Sequence, residues 1–346
     1  MRPLTIALAA LGLALALPAA GSAAGEVSIF YYPWYGTPAL DGAYQHWGQA
    51  GHLPPTDLAS AYYPSRGLYS SSDRVVIAEQ MREIAEAGVG EVVVSWWGWG
   101  SIEDLRLPYV LRAARARGLR VAVQIEPYRG RTAGTLEADL AQLRDLGITR
   151  YYVYLPFAGI DESRWAALHE RLAGLELLAQ TGNVARAAAA RFDGVYTYDI
   201  LTYTGPTLPR LCARARAAGL VCAPSVGPGY EAVRGTGDPR VRPRRNGAFY
   251  DLMWAWAVRA GADRVTITSY NEWHEGTQIE PARTPAPRRL SANPVERRYS
   301  SYEAAYGLES EEAERAYLVR TALWARVFGL VATALRALGA LDGVSP

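Results

Sequence analysis

Residues 91–127 of the chain read EVVVSWWGWGSIEDLRLPYVLRAARARGLRVAVQIEP. A β-branched and aromatic run, Glu91–Trp97, precedes a stretch with helical spacing of apolar residues, Ile102–Arg117, and a second strand-like run follows at Arg120–Pro127. Gly118 stands between the helical stretch and the second run, the usual place of a glycine after a helix. The segment therefore predicts a strand, a helix and a second strand in succession.

This alternation repeats along the chain of 346 residues. The predicted strands are Val27–Tyr32, Glu91–Trp97, Arg120–Pro127, Arg150–Leu155, Leu175–Ala179, Gly194–Tyr198, Leu220–Ser225 and Arg264–Tyr270. The predicted helices are Ser72–Ala87, Ile102–Arg117, Thr135–Leu146, Glu162–Ala173, Thr207–Ala218, Gly247–Ala260 and Ser310–Leu338. Eight such units over roughly 250–300 residues predict an α/β fold, a single (β/α)8 TIM-type barrel.

The fifth unit gives the weakest support for a barrel, because its strand is brief and Asn183–Arg191 has a poor helical pattern. A doubly wound open sheet is therefore the alternative fold. Such a sheet usually has a glycine-rich turn after its first strand, whereas residues 31–36 read YYPWYG. The barrel remains the prediction.

Residues 1–25 have the pattern of a secretory signal peptide. Arg2 precedes the apolar run Leu4–Leu17, and small residues follow as far as Ala24. An uncleaved membrane anchor is the alternative, although a span needs about 20 apolar residues. We therefore predict a signal peptide over residues 1–25, one catalytic barrel domain over residues 26–340, and a secreted, extracytoplasmic protein.

The charge balance excludes a polyanion-binding arm, since 36 basic side chains stand against 34 acidic ones, and we expect no nucleic-acid partner. The 2 cysteines and 4 histidines offer no zinc-type spacing, so neither a metal nor another cofactor is predicted. Cys212 and Cys222 either form a local disulfide or remain two buried thiols.

The C-terminal run Ala322–Leu338 is apolar but contains Arg326 and Arg336. It is predicted as the last barrel helix with its apolar side facing inward, and a membrane-surface helix is the alternative. We expect a monomer with no membrane association once the signal peptide is cleaved.

Aromatic and acidic residues collect at the C-terminal ends of the predicted strands, where barrel enzymes have their active sites. These ends read YPWY at 32–35, SWWGW at 95–99, EPY at 126–128, YTY at 196–198 and YNEWHE at 270–275. Rings with polar edges beside carboxylate and amide groups are typical of a sugar-binding cleft.

Hydrolysis of a glycosidic bond needs two carboxyl groups beside it, one protonated and one ionised. Glu272 and Glu275, which follow the last strand, are the candidate pair, and Glu126 is a further carboxyl at a strand end. His274 is expected to form hydrogen bonds within the loop of the pair. A salt bridge with an arginine is the alternative role for each glutamate, and a secreted glycan-binding barrel without turnover is the alternative function.

The chain resembles glycoside hydrolase family 99, the endo-α-mannosidase and endo-α-1,2-mannanase family, over most of its length after the signal segment. The motifs that carry the resemblance are YYPWYG at 31–36, YQHW at 44–47, VSWW at 94–97, IEPYRGR at 125–131, FDGVYTY at 192–198, PSVGPGY at 224–230 and ITSYNEWHEGTQIE at 267–280.

The resemblance implies hydrolysis of internal α-1,2-mannosidic bonds in α-mannan or a mannose-containing oligosaccharide, with retention of configuration and without a metal. It implies that Glu272 is the general base on the sugar 2-hydroxyl, giving a 1,2-anhydro sugar, and that Glu275 is the general acid and base. The implied substrate-binding residues are Tyr32, Trp34, His46, Trp97, Glu126, Tyr198, Arg234 and Asn271.

The chain departs from the family pattern at Leu155, where aspartate is expected, and at Gly235 and Thr236, where Pro-Trp is expected. The loop after Tyr198 also looks short. These positions are expected beside the cleft, so the sequence does not determine which sugars the outer subsites bind. A related retaining glycosidase acting on another α-linked glycan is therefore the alternative activity.

Overall fold

Parallel strands close a barrel in the computed structural model, which describes residues 26–288 and 299–342. The barrel strands are β1 Glu26–Tyr31, β2 Glu91–Trp96, β3 Arg120–Ile125, β4 Arg150–Val153, β5 Glu176–Gln180, β6 Gly194–Tyr196, β7 Val221–Ala223, β8 Ser225–Val226 and β11 Arg264–Ile267, and a separate antiparallel pair is formed by β9 Tyr230–Glu231 and β10 Val241–Arg242. Strand β11 pairs with β1 on one side and with β8 on the other, so the first and last strands meet. The predicted (β/α)8 barrel is confirmed. The predicted signal peptide, residues 1–25, lies outside the described residues.

Pro224 divides the seventh predicted strand, Leu220–Ser225, into β7 and β8. Proline has no backbone N–H to donate to a neighbouring strand, so the ladder is interrupted at this residue. Strand β7 pairs with β6, whereas β8 pairs with β11. The two short strands together occupy one position in the barrel and close it.

The longer helices begin and end within a few residues of the predicted bounds. The helices are α1 Pro38–Asp41, α2 Arg74–Glu86, α3 Ile102–Arg115, α4 Ala133–Asp145, α5 Glu162–Arg171, α6 Val184–Ala189, α7 Thr207–Ala217, α8 Val233–Thr236, α9 Ala248–Arg259, α10 Ser310–Glu314 and α11 Ala316–Asp342. In the weak fifth unit, α6 is short but capped, because the Asn183 side chain accepts the backbone N–H of Arg186. The single helix predicted over Ser310–Leu338 is wrong, since the chain divides into α10 and α11 at Arg315, whose ψ of 4° is not helical.

Side chains at alternating strand positions fill the barrel, because successive side chains of a strand face opposite sides. The buried cluster inside consists of Phe30, Tyr32, Val93, Ala122, Tyr152, Leu178, Tyr196, Tyr198 and Ala223. The Phe30 ring lies 5.7 Å from the ring of Tyr152 and 5.1 Å from that of Tyr198. The same alternation, continued toward the strand ends, brings Ser95 and Glu126 to the mouth of the barrel.

Charged side chains join the starts of the strands at the opposite end of the barrel. Arg150 donates to Glu26 at 2.7 Å and also pairs with Glu91, and Arg264 bonds Glu26 and Glu176 at 3.1 Å each. Breaking a pair of this kind is costly where the charge left alone is poorly solvated. These ion pairs tie β1, β2, β4, β5 and β11 together at the face that is opposite the candidate site.

Only the first part of α11 packs on the barrel. The Trp324 ring stacks on Trp254 of α9 at 6.2 Å, and Phe328 is the last buried side chain among those described in this helix. Further on, Leu330 is 73% exposed and Leu338 is 60% exposed. Residues Ala316–Leu335, with a mean hydropathy of 1.5, are long and apolar enough to cross a membrane by length and composition alone. The inward apolar face is thus found in the first half of α11, and the absence of membrane association stays a prediction.

The two cysteines form a disulfide, which decides between the alternatives left open by the sequence. Cys212 lies on α7 and Cys222 on β7, with a sequence separation of 10, and both side chains are buried. The bond therefore fastens a barrel helix to the strand that follows it.

Replacing both cysteines, Cys212→Ala with Cys222→Ala, is expected to lower the free energy of unfolding by about 2–3 kcal/mol, the usual effect of opening so short a covalent loop. Denaturant titration measures the loss. A reductant should destabilise the unmodified protein by a similar amount and leave the double variant unchanged. Equal stability of the two oxidised proteins would contradict a stabilising disulfide.

Candidate active site

The acidic loop, residues 271–280, follows β11 at the mouth of the barrel. It returns to its starting point, since the backbone N–H of Glu280 donates to the carbonyl of Tyr270 at 2.8 Å. The Ser269 hydroxyl accepts the backbone N–H of Glu272 at 2.8 Å. Hydrogen bonds therefore hold the loop near its first residue and at its last residue, and both bonds are formed with the segment that leads from β11.

Asn271 ties the acidic loop to the end of β1. Its Oδ1 accepts the backbone N–H of Tyr32 at 2.8 Å, and its Nδ2 donates to the Tyr32 carbonyl at 3.0 Å and to the Tyr69 hydroxyl at 3.3 Å. The Asn271 side chain is fully buried. The structure thus gives Asn271 a positioning role, and its contact with a sugar stays a prediction.

Glu272 is buried within the acidic loop. Its Oε1 accepts the backbone N–H of His274 at 3.0 Å and lies 3.2 Å from Nδ1 of the same residue. Burial raises the pKa of the Glu272 carboxyl to about 8, although the backbone N–H groups of His274 and Glu275 favour the ionised form. Within the described residues the ring closest to the Glu272 carboxyl is that of His274, and no arginine forms an ion pair with Glu272. The backbone N–H of His274 thus forms a hydrogen bond within the loop, as expected, whereas its ring Nε2 bonds the His46 carbonyl outside the loop.

Glu275 is partly exposed at the edge of a cavity. Its Oε2 accepts the Tyr198 hydroxyl at 3.1 Å. Burial and then the charge of Glu272 raise the pKa of the Glu275 carboxyl to about 8. The cavity has a volume of about 260 Å³, and its other lining residues are Tyr154, Leu155, Gln180, Tyr198, Asp199, Ile200, Leu201, Tyr230, Arg240, Thr268 and Thr277.

Glu126 is the third carboxyl at the mouth of the barrel. It is buried just after β3 and accepts the Ser95 hydroxyl at 2.8 Å. Burial raises the pKa of the Glu126 carboxyl to about 8, the bond from Ser95 opposes the rise, and the charges of Glu272 and Glu275 add to it. The structure therefore brings together all three carboxyls that the sequence singled out, and each holds its proton more firmly than a solvated carboxyl does.

The aromatic side chains predicted to bind substrate lie beside these carboxyls. The hydroxyls of Tyr32 and Tyr198 are 2.5 Å apart, and the Trp34 ring stacks on His46 at 4.6 Å and contacts the Tyr32 ring at 4.7 Å. Trp97, directly after β2, is 39% exposed. Trp34, His46 and Trp97 are at least partly exposed, whereas Tyr32 and Tyr198 are buried. Exposed rings with polar edges suit the stacking and hydrogen bonding that sugars require.

Arg234 is bonded to a neighbouring segment of the chain. Its Nη2 lies 2.9 Å from Nδ1 of His52 and pairs with Asp57, and its Nε donates to the Leu58 carbonyl at 3.2 Å. Helix α8 itself packs on the acidic loop, because a Cβ at Gly235 would lie 2.5 Å from Cβ of His274. Arg234 is therefore next to the acidic loop, and its contact with substrate stays a prediction.

Sequence reasoning missed the role of Glu280, which is fully buried. Its Oε2 accepts the Tyr69 hydroxyl at 2.7 Å and the Trp273 indole N–H at 2.9 Å. Its Oε1 accepts Nε of Arg66 at 3.0 Å and Nε2 of Gln80 at 2.8 Å. One carboxylate thus satisfies four donors from separate parts of the chain.

These bonds fix the middle of the acidic loop, because Trp273 lies between Glu272 and His274. Glu280 belongs to the motif at 267–280, but its partners at residues 66, 69 and 80 lie 214, 211 and 200 positions earlier. No local pattern joins residues so far apart. The only signal in the sequence was the place of Glu280 at the end of the motif at 267–280.

The part of the chain that the structure describes contains no group of three His, Cys, Asp or Glu side chains arranged to hold a metal ion. Independence of metals and cofactors stays a prediction from the sequence and is tested by activity.

Comparison with known proteins identifies the family. The sequence model of glycosyl hydrolase family 99 matches residues 24–154 and 161–329. The chain belongs to glycosyl hydrolase family 99. It is therefore a glycoside hydrolase, which disfavours a glycan-binding barrel without turnover.

Individual relatives are also similar to this chain. The glycoprotein endo-alpha-1,2-mannosidase-like protein of Danio rerio is 33% identical over 317 residues, which cover 74% of this chain and 71% of that protein. The glycoprotein endo-alpha-1,2-mannosidase of Rattus norvegicus is 29% identical over 340 residues, 82% of this chain and 72% of that protein. The structure of the family 99 endo-alpha-mannosidase of Bacteroides thetaiotaomicron with bis-tris-propane matches with a TM-score of 0.77 and 30% identity, over 89% of this chain and 98% of that chain. The family resemblance read from the sequence is confirmed.

Glu280→Gln is expected to lower the free energy of unfolding by about 2–4 kcal/mol, because it breaks a buried ion pair with Arg66. Glu83 still binds the same guanidinium, so the Arg66 charge is not left without a partner. Hydrolysis should also fall, because the acidic loop loses an anchor. Denaturant titration and hydrolysis at a temperature well below the unfolding midpoint measure both effects.

Glu79→Gln is the matched control for this change. Glu79 also pairs with Arg66, at 2.8 Å, but its side chain is 51% exposed. An exposed pair contributes less than about 1 kcal/mol, so this variant should retain its stability and activity. Equal losses in the two variants would contradict an anchoring role for Glu280.

Proposed function

We propose that this family 99 member is an endo-acting α-mannosidase of the α-1,2-mannanase type, which hydrolyses internal α-1,2-mannosidic bonds with retention of configuration. The proposal rests on the placement of Glu272 and Glu275 in one loop at the barrel mouth, each with a raised pKa and each with different hydrogen-bond partners. The names of the rat and Bacteroides thetaiotaomicron relatives support the bond type. The substrate is α-mannan or a mannose-containing oligosaccharide.

The first step of the proposed reaction breaks the glycosidic bond. Glu272 takes the proton of the 2-hydroxyl of the sugar on the non-reducing side, and the freed oxygen attacks the anomeric carbon of the same sugar. The bond from that carbon to the leaving oxygen breaks, and Glu275 gives its proton to the leaving oxygen. The product of this step is a 1,2-anhydro sugar.

The second step opens the anhydro ring with water. Glu275, now ionised, takes a proton from the water whose oxygen attacks the anomeric carbon, and Glu272 returns its proton to the 2-oxygen. Each step inverts the anomeric carbon, so the two together retain its configuration. In the usual retaining scheme an enzyme carboxylate is itself the nucleophile.

The two carboxyls must start in opposite protonation states. Their surroundings favour Glu272 as the base and Glu275 as the acid. Glu272 accepts backbone N–H groups, which stabilise its ionised form. Glu275 accepts one hydroxyl bond, from Tyr198, and the charge of Glu272 opposes its ionisation. We therefore assign the base to Glu272, whose backbone N–H donors favour the carboxylate, and the acid to Glu275, which must supply the proton that the leaving oxygen needs.

The leaving sugar is assigned to the cavity beside Glu275, because the acid must lie next to the leaving oxygen. Glu126 and Trp97 are assigned to the neighbouring sugar on the non-reducing side. Leu155 lines the cavity and is 45% exposed, so an apolar side chain faces the leaving group where the family pattern has aspartate. This observation favours a second candidate, a related retaining glycosidase with the same carboxyl pair that cleaves another α-linked glycan.

We also propose that the protein is secreted. The Cys212–Cys222 disulfide supports this location, because disulfides persist in oxidising compartments outside the cytoplasm. Mass spectrometry of the protein from culture medium is expected to find a new N-terminus between Ala20 and Gly25. Intact Met1 in purified membranes would instead favour an anchored protein.

Glu272→Gln and Glu275→Gln are each expected to lower turnover of an α-1,2-mannan oligosaccharide by a factor on the order of 10² or more, the usual loss when a general acid or base is removed. Oligosaccharide binding should persist, because glutamine keeps the shape of the side chain. A substrate with an activated leaving group separates the two roles. Such a group needs less protonation, so Glu275→Gln should recover part of its first step and Glu272→Gln should not.

The control for these variants is Glu137→Gln, a change at a surface position that is paired with Arg171. Its turnover should equal that of the unmodified enzyme. A 2-deoxy or 2-O-methyl mannoside should resist cleavage, because the attacking hydroxyl is absent. Rapid hydrolysis of that analogue would exclude the anhydro route and make Glu272 an ordinary nucleophile.

A further inference from the structure

The imidazole of His274 is held in one tautomer by the carbonyl of His46. The ring is buried, and its Nε2 lies 2.7 Å from that carbonyl oxygen. A carbonyl oxygen only accepts hydrogen bonds, so Nε2 must carry the proton. In the neutral ring Nδ1 is then a bare acceptor, and it lies 3.2 Å from Oε1 of Glu272.

We propose that His274 is a positioning residue that makes Glu272 a stronger base. Its Nδ1 lone pair, held against Oε1 by the bond from Nε2–H to the His46 carbonyl, favours the protonated carboxyl over the carboxylate. This inference rests on the proposed function, because it concerns the base of that reaction. The two contacts of the His274 ring, with the His46 carbonyl and with Glu272, support this role, and the sequence motif alone does not show them.

The physical basis is the opposition of two acceptors. When Glu272 is ionised, a lone pair of nitrogen faces a lone pair of oxygen, and the contact is unfavourable. When the carboxyl carries a proton on Oε1, the same contact becomes an O–H donor bonded to a nitrogen acceptor. The histidine and the glutamate therefore bind one proton more tightly as a pair than the glutamate would alone.

The proton of this pair belongs to the carboxyl. Burial lowers the pKa of His274 to about 4 and raises that of Glu272 to about 8, so the ring stays neutral when the carboxyl is protonated. A sugar hydroxyl is a very weak acid, and a base of raised pKa takes its proton more readily. The backbone N–H groups on Glu272 limit the rise, so that the ionised form is still accessible near neutral pH.

The other titratable and charged groups around the pair come from several elements. They are Tyr32, Tyr35 and His46 after β1, Arg106 on α3, Glu126 after β3, Tyr198 after β6 and Glu275 in the acidic loop. Burial raises the pKa of the three tyrosines well above their ordinary value and lowers that of His46 to about 4. Between about pH 5 and 9, the groups that change charge are therefore Glu126, Glu272 and Glu275.

Two variants separate the two contacts of the ring. His274→Gln places its amide where Nε2 lies, so it can keep the bond to the His46 carbonyl while it loses the acceptor at Nδ1. His274→Asn places its amide where Nδ1 lies and can donate to Glu272 instead of accepting. Both changes remove the opposition of lone pairs, so both lower the pKa of Glu272.

The experiment compares the pH dependence of kcat/KM for the unmodified enzyme and the two variants on an α-1,2-mannan oligosaccharide. Because Glu272 must be ionised, the acid limb reports its pKa in the free enzyme. We expect this limb to move to lower pH by on the order of one unit, the usual effect of one close polar partner, with a smaller shift of the basic limb. The plateau should also fall, because the base is weaker.

A loss of activity without movement of the acid limb would overturn the inference, since a merely structural role predicts that result. His169→Gln is the matched control: its ring lies on α5, 3.1 Å from Asp193, and the substitution should leave both limbs in place. Thermal unfolding of each variant confirms that it is folded at the assay temperature.

A second measurement does not need turnover. The infrared band of a protonated carboxyl that disappears in Glu272→Gln reports Glu272 directly, and its titration midpoint should be lower in both His274 variants. An unshifted midpoint would overturn the inference even if the unmodified enzyme hydrolyses mannan. If the unmodified enzyme hydrolyses no mannoside while the midpoint shifts, the proposed function fails and the pairing of His274 with Glu272 stands.

Discussion

The parallel pairing of β11 with β1 is the constraint on which the rest of the structure depends. It sets Glu26 opposite Arg264 and Ile29 opposite Ile267, and so closes the barrel between the two ends of the sequence. The acidic loop leaves β11 directly beside the segment that follows β1. Asn271 and Tyr32, 239 positions apart, can therefore exchange two hydrogen bonds. An open sheet would leave these residues at opposite edges, and the mouth would have no continuous rim.

Closure creates a second constraint, because it buries acidic side chains that water would otherwise solvate. Glu126, Glu272 and Glu275 all have a pKa raised mainly by burial. The charge of Arg131 opposes the rise at Glu126, whereas no arginine within the described residues does so at Glu272 or Glu275. Glu280, the buried carboxylate that anchors the loop, pairs with Arg66. An arginine thus pairs with the carboxylate that anchors the loop. The two carboxyls that are proposed to transfer protons, Glu272 and Glu275, form no such pair within the described residues.

Local patterns in the sequence were sufficient for the fold and for the proposed pair. The alternation of strands and helices predicted the barrel, and the spacing of Glu272 and Glu275 at a strand end predicted that both reach the mouth. The division of one strand at Pro224 and of one helix at Arg315 was not predicted, because apolar periodicity continues through both residues. The bonds of Glu280 and the acceptor role of the His46 carbonyl could not be predicted either. Both depend on contacts between distant segments, and one of them involves a backbone atom that carries no sequence signal.

The acidic loop and the cavity beside it are held by partly different contacts. The acidic loop is held by Asn271, Glu280 and the barrel closure, so its carboxyls have little freedom to change position. Leu155, after β4, lines the cavity beside Glu275. Tyr230 on β9 also lines it, but β9 helps to hold the loop as well, because the backbone N–H of Glu231 donates to the Glu275 carbonyl at 2.8 Å. Leucine at position 155 therefore gives the cavity an apolar side chain without changing the anchors of the proposed carboxyl pair. The positions of the two carboxyls therefore depend on the closure of the barrel, whereas part of the cavity lining comes from the connection after β4.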